Sequence, residues 1–328
     1  MRLNPRRPYR LHMSEFEIAL DWTPNTNHAG IYLARAEGYY EAAGLDVTIR
    51  SPADDGYDTT PAKRVATGEA TVAIAPSESA VSYNTHPDYP SLRAVAAVCQ
   101  RDTSAVVALG DGDIERPADL DGRSYASYGA RFEDDIVRGL VRNDGGDGDV
   151  EVVTPPKLGI WNTLLEGEAD ATWVFMPWEG LLAERDGVSL TPFYLDDYDV
   201  PYGYTPTMLA RPASIDAEAD RLAAFLSATG RGYREAAADP EAAAAVLYRD
   251  AEGPNLDDRA FLAESARRLA DAFLSDGGEW GRMRRRRWAA FVDWLADEEI
   301  LTSLEGDHIP ASELDVDALF TTDLLDGR

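Results

Sequence analysis

The chain has 328 residues, 45% of them hydrophobic and 27% charged, and its 59 acidic side chains against 31 basic ones give a formal net charge of −28. The length exceeds the roughly 250–300 residues at which one hydrophobic core divides, so two lobes are expected. The charge excludes nucleic acid and an anionic membrane face as partners, because both require a basic field.

Lysine occurs only as Lys63 and Lys157, with arginine supplying the other 29 cations. So acidic a surface suits concentrated salt, where screening over a few ångströms removes its self-repulsion. Cys99 is the sole cysteine, which rules out an internal disulfide or a multi-thiolate metal site; within AVAAVCQ it reads as a buried structural thiol. His12, His28, His86 and His308 have no zinc-type spacing. No run approaches the ~18 apolar residues of a membrane-spanning helix. Residues 1–13 are basic, lack the apolar core of a signal peptide and are followed by no lipobox cysteine. They read as an upstream extension or a disordered arm, which keeps the chain as written inside the cell; a misplaced start would put it at the extracytoplasmic membrane face.

In chain order, EFEIALDW is a first strand that stops at the turn formers TPNTNHAG. GIYLARAEGYYEAAG is a helix ending at Gly44, LDVTIRS a second strand, 61–67 a short helix and ATVAIAP a third strand. SESAVSYNT opens another helix and LRAVAAVC a fourth strand. Strands alternating with helices on short connections predict an α/β fold with a mostly parallel sheet.

A second α/β unit begins after residue 104: strand SAVVALG, strand RSYASYG, helix 131–143, strand VEVVT, helix 159–166 and strand DATWVFMP. The acidic Asp-Gly turns at 144–149 lack the ligand spacing of a calcium loop. GYTPTMLARP then returns toward the first unit, and helices follow over 216–230, 239–250, 257–274 and 280–297. The expected division is lobe 1 from 14–104 plus 210–328, with lobe 2 from 105–209 inserted in it. The run Arg282, Arg284, Arg285, Arg286, Arg287 is expected to pair with carboxylates while Trp288, Phe291, Trp294 and Leu295 face inward.

Ligand sites in open α/β sheets form beyond the carboxyl ends of strands, at helix N-termini. Four turns occupy such places: Asp21 to His28, Pro76-Ser77-Glu78-Ser79, Ser127 to Arg131, and Trp173 to Gly180. Each alone suits a helix cap or a core aromatic; together they bring rings, amides, hydroxyls and carboxylates to one cleft, the mixture that receives a flat, polar heterocycle. No Ser-His-Asp order, nucleophile elbow or phosphate loop accompanies them.

LDWTPNTNHAGIYLARAEGYYEAAGLDVTI resembles the opening of the thiamine-pyrimidine precursor-binding proteins, which include the formylaminopyrimidine-binding component of an ABC importer and the eukaryotic pyrimidine synthases. The resemblance continues through GEATVAIAPSESAV, SYGARFEDD, WNTLLEGEADATWVFMPWEG, YGYTPTML, WAAFVDWLADEEIL and ALFTTDLL, nearly the whole chain from residue 15. It implies the two-lobed periplasmic-binding-protein fold of the second type, closing over a 4-amino-2-methylpyrimidine, with an ABC permease and ATPase as partners if exported, no cofactor, and a monomer. Carried over, the binding residues are Trp22, Thr23, Asn27, Ser77, Glu78, Tyr128, Met176, Trp178, Glu179 and Tyr204. Met176 stands where relatives often carry Tyr. The synthases use pyridoxal phosphate with a lysine, a histidine and a cysteine-rich loop; VAIAPSESAV has neither Lys nor His, so the enzyme is the alternative reading and the sister alkanesulfonate or nitrate binders a third.

Overall fold

A computed structural model describes residues 13–155 and 161–325. Its strands in chain order are β1 Ser14–Ala19, β2 Leu45–Arg50, β3 Val72–Ala75, β4 Arg93–Ala97, β5 Ser104–Leu109, β6 Ser124–Ala126, β7 Glu151–Val153, β8 Ala171–Phe175, β9 Leu190–Phe193 and β10 Thr207–Ala210. They form two five-stranded sheets, one ordered β2-β1-β3-β10-β4 and the other β7-β6-β8-β5-β9. This is the two-lobed α/β architecture of type II periplasmic binding proteins.

The two sheets follow one plan. In the first, β1 is parallel to β2 and β3, and β10 enters antiparallel between β3 and β4. In the second, β6 is parallel to β7 and β8, and β5 enters antiparallel between β8 and β9. Each intruding strand is the first one laid down after the chain crosses from one sheet to the other. Both intruders are apolar and buried, β10 along its whole length, because neighbours on both edges and helices on both faces leave them no contact with water.

The helices are α1 Ala29–Ala36, α2 Tyr39–Ala42, α3 Pro61–Thr67, α4 Ser77–Asn84, α5 Glu133–Asn143, α6 Trp161–Leu165, α7 Leu181–Arg185, α8 Pro212–Ala217, α9 Ala219–Ala238, α10 Pro240–Asp250, α11 Arg259–Ala270, α12 Arg285–Asp297 and α13 Val316–Leu319. Helices α1 and α9 touch backbone to backbone: a Cβ on Gly232 would run into the Gly30 carbonyl oxygen, so only glycine fits the crossing. The amphipathic α12 buries Trp288, Phe291, Val292 and Leu295, stacks Trp288 on Phe320 with ring centroids 5.8 Å apart, and reaches the second sheet's helices through Trp294, whose ring would lie 2.8 Å from a Cβ on Gly139. Helix α12 therefore fastens both lobes.

Four expectations change. The 30–44 helix is broken by Gly38 at φ 70°, a conformation glycine adopts freely. The 216–230 helix is two helices, the second running to Ala238. The 280–297 helix starts only at Arg285, because Trp280 and Gly281 are drawn into bridges with Leu274 and Ala97, and Trp280 stacks on Tyr233 at 5.1 Å. Strand β9 was not anticipated; it carries Pro192, which is tolerated because β9 lies at the sheet edge. Part of the expected 159–166 helix, residues 159 and 160, lies outside the described residues. Of the arginine run, Arg285 meets Asp317 at 3.0 Å and Arg282 meets Glu279 at 3.4 Å. Arg287 instead turns inward, lying over the Tyr204 ring at 4.1 Å and donating to the Gln100 and Gly203 carbonyls.

Candidate functional site

The first turn spends most of its polar groups on itself. Asn25 Oδ1 accepts from Asn27 N at 2.8 Å, and Asn25 Nδ2 donates to the Thr23 carbonyl at 3.1 Å. Asn25 N–H donates to His28 Nδ1 at 3.2 Å, which puts the ring proton on Nε2, where it meets Asp21 Oδ1 at 2.7 Å. Thr26 bonds Ser265 at 2.7 Å, and Tyr233 donates to the Asn27 carbonyl at 2.7 Å. The buried network fixes the turn so that Asp21 and the Trp22 ring project into a chamber of about 240 Å³.

Three other segments complete this chamber from below and across. Glu78, in the first turn of α4, accepts from the Tyr202 hydroxyl at 3.2 Å; Tyr202 lies on the crossing between β9 and β10. Glu179, in the π-type turn Met176–Gly180 after β8, accepts from Phe175 N at 3.0 Å. At the start of α5, Glu133 gathers Tyr125 Oη at 2.7 Å and, from the loop after β6, Tyr128 N at 2.9 Å and Ala130 N at 3.1 Å, and the Tyr128 ring it positions stands edge-on to Trp22 at 6.0 Å. Trp173 donates to Ser104 Oγ at 2.7 Å and packs on Tyr202 at 5.3 Å, forming the back wall.

The wall carries four carboxylates, Asp21, Glu78, Glu133 and Glu179, and no Arg, Lys or His among the described residues. Their environments differ. Glu133 holds three donors, which offset part of the rise that burial imposes on it. Glu78 is pushed up to about 8, chiefly by burial and then by the Glu133 charge, with the Tyr202 hydroxyl opposing. Glu179 is pushed up to about 7, again by burial first, with backbone N–H groups opposing and the Asp21 charge adding. Near pH 7 these two acids exchange readily between a form that donates and one that only accepts, which matches them to a ligand edge carrying both amino groups and ring nitrogens.

Trp22, Glu78, Tyr128 and Glu179 meet on the chamber wall. The other expected residues sit off it. Thr23 and Asn27 are buried within the first turn. Ser77 is fully buried, its Oγ without a partner and crowded by Gly203. Met176 folds back on Gly180. Trp178 points away from its neighbour Glu179 and packs on Phe261 at 4.7 Å, in the core under α11. Tyr204 is buried under Arg287, its hydroxyl accepting from Arg284 N at 3.0 Å.

The wall residues that the carry-over did not name include Asp21, Ser104, Glu133, Trp173, Tyr202 and Thr205. Asp21 and Trp173 belong to the turns singled out in the sequence, and Glu133 follows a turn at the spacing of a helix cap. Nothing local in the sequence marks Tyr202.

Cys99 is buried and its thiol is pushed well above the ordinary range by burial, which fits a structural role. Among the described residues no group of acidic, His and Cys side chains is arranged to hold a metal ion, and no helix is long and apolar enough to cross a membrane.

Residues 25–243 match the NMT1/THI5 like family. The chain belongs to that family. It is 26% identical over 281 residues to the formylaminopyrimidine-binding protein of Halalkalibacterium halodurans, covering 85% of this chain and 84% of that protein. Among solved structures, one from Bordetella bronchiseptica RB50 superposes with a TM-score of 0.72 at 19% identity, covering 96% of each chain. The periplasmic nitrate-binding protein of Synechocystis PCC 6803 does so with a TM-score of 0.66 at 13% identity, over 96% of this chain and 88% of that one. These structural likenesses establish the shared fold of this NMT1/THI5-like chain.

Proposed function

We propose that this protein is a solute-binding protein for a thiamine-related 4-amino-2-methylpyrimidine of the formylaminopyrimidine or hydroxymethylpyrimidine type, handed on to an ABC permease and its ATPase. The observation that carries the reading is the inner chamber: the Trp22 and Tyr128 ring faces beside the two buried, exchangeable acids Glu78 and Glu179, with no cation on the wall among the described residues. A flat aminopyrimidine stacks on the rings and offers its amino group and ring nitrogens to the acids. The same wall disfavours sulfonate and nitrate, whose negative charge needs donors where this chamber holds four carboxylates. Among the described residues the wall also holds no lysine of the kind pyridoxal phosphate chemistry requires, and Lys63 does not line it. The similarity to a protein named for formylaminopyrimidine binding agrees.

Ligand that binds only the folded protein raises its melting temperature with concentration. A thermal-shift series in concentrated salt is expected to respond to hydroxymethyl-, aminomethyl- and formylaminomethyl-pyrimidine and to remain flat with alkanesulfonates, nitrate and pyridoxal phosphate. A response to sulfonates alone would overturn the assignment.

A further inference from the structure

A second chamber of about 780 Å³ opens outward from the first and lies inside the usual range of small-molecule sites, roughly 300–1,000 Å³, which the inner chamber does not reach. The two share Asp21, Trp22, Pro76, Glu78, Tyr128 and Ala130, and the Trp22 and Tyr128 rings stand edge-on, 6.0 Å apart, where the chambers meet. Beyond that pair the wall changes character. Hydroxyls from Tyr57, Thr59, Ser79, Ser82 and Tyr83 alternate with apolar surface from Pro52, Pro61 and Phe132.

The one cation on this outer wall, among the described residues, is already engaged. Arg131 donates to the Ser82 carbonyl at 2.9 Å, to Thr85 Oγ1 at 3.0 Å and to the Thr302 carbonyl at 2.5 Å. Those bonds run from the loop after β6 to α4 and to the segment after α12, so they bridge the two lobes along the chamber rim. On another side, Arg268 meets Glu184 at 2.8 Å and Arg185 meets Asp258 at 2.6 Å, tying α7 to α11. The outer chamber thus exists with the lobes already in contact at its rim.

We propose that the cleft takes a two-part ligand: a flat aminoheterocycle in the inner chamber, joined past the Trp22–Tyr128 ring pair, along the wall that the two chambers share, to a second ring or hydroxylated chain without negative charge in the outer one. This rests on the aminopyrimidine reading above and extends it. Hydroxyls and apolar surface suit a ring or a short alcohol. Among the described residues a phosphate would find no free cation, and it would face Asp21 and Glu78.

The test compares three probes by calorimetry in concentrated salt: hydroxymethylpyrimidine, thiamine as the two-ring probe with a hydroxyethyl chain, and thiamine monophosphate. Thiamine is expected to bind about tenfold tighter than the short pyrimidine, and its phosphate about tenfold weaker than thiamine, each tenfold step being a modest contact difference. Thr59→Trp, on a loop, and Ser79→Phe, on α4, each fill the outer chamber. Both are expected to remove thiamine's advantage while holding the short pyrimidine within about threefold of the parent protein. The inference falls alone if the short pyrimidine binds and thiamine gains nothing, or if the filled variants keep thiamine's full advantage. Silence toward every aminopyrimidine would take down the functional reading as well.

Discussion

The acids of the surface and the acids of the inner chamber are the same side chains held in opposite ways. On the outside, Arg267 spans Glu241 at 2.8 Å and also pairs with Glu264, while Arg268 spans Glu184 at 2.8 Å and Glu264 at 3.1 Å. Hydrogen bonds from these arginines hold Glu184 and Glu241 below the usual carboxylate range. Inside, Glu78 and Glu179 have no cation on the chamber wall and are pushed up by burial. The excess of acids that composition reports therefore divides into two devices. Hydrated, arginine-laced carboxylates keep the exterior soluble, and a few buried ones leave their hydrogen-bonding capacity for a ligand.

The largest expected effect breaks the exterior half of this contrast. Dialysis from concentrated to low salt lengthens the range of self-repulsion from about 3 Å to tens of ångströms, and near-UV circular dichroism is expected to collapse; an unchanged spectrum would sink the salt-adapted reading. Next comes the interior. Trp22→Ala and Glu179→Ala each remove a wall group, and aminopyrimidine affinity is expected to fall about 100-fold or more, in line with a hot-spot ring or a charge-assisted hydrogen bond; a full thermal shift in both variants would remove the site assignment.

Protonation sharpens the same half. Glu78 and Glu179 have folded values above their ordinary 4.5, so the ligand-free folded protein holds protons that the unfolded chain has released. Their contribution to stability is whole at and below about pH 4.5 and declines as pH rises toward 8, at about 1.4 kcal/mol for each unit by which a value is raised. Glu78→Gln has no such proton to lose, and denaturant unfolding at pH 5, 7 and 9 is expected to show a shallower decline than in the parent. Equal slopes would contradict the burial argument.

Smaller effects follow. Tyr202→Phe keeps the ring and removes the hydroxyl from Glu78, which is expected to weaken ligand binding by about 3–10-fold, the size of one hydrogen bond of about 1 kcal/mol. Arg267→Ala, by contrast, deletes exposed, solvent-screened pairs with Glu241 and Glu264 and should leave ligand affinity untouched; an affinity loss there would mean that the two populations of acids are not separate.

What could be read beforehand follows how local each feature is. The turn from Asp21 to His28 was legible because four of the bonds that shape it lie within eight residues of sequence, whereas its anchors to Ser265 and Tyr233 come from more than two hundred residues away. Trp178 and Glu179 were read as a pair, yet neighbouring residues on a helical turn diverge, so one ring enters the core against Phe261 while the carboxylate faces the chamber. Tyr202 and Tyr204 sit on the same extended crossing, but Arg287 and Trp288 of α12, more than eighty residues away, claim Tyr204, which leaves Tyr202 for the chamber.

By itself the sequence determined the alternation of strands and helices, the positions of the four turns at strand ends, and the charge of the exterior, because each of these depends on residue type and short-range spacing. Only the tertiary structure decided which aromatic rings face the inner chamber, that its wall carries no cation among the described residues, and that a larger hydroxyl-lined chamber continues outward. Those properties depend on which distant segments pack behind each residue, and packing over such separations is set by the two sheets and α12 together.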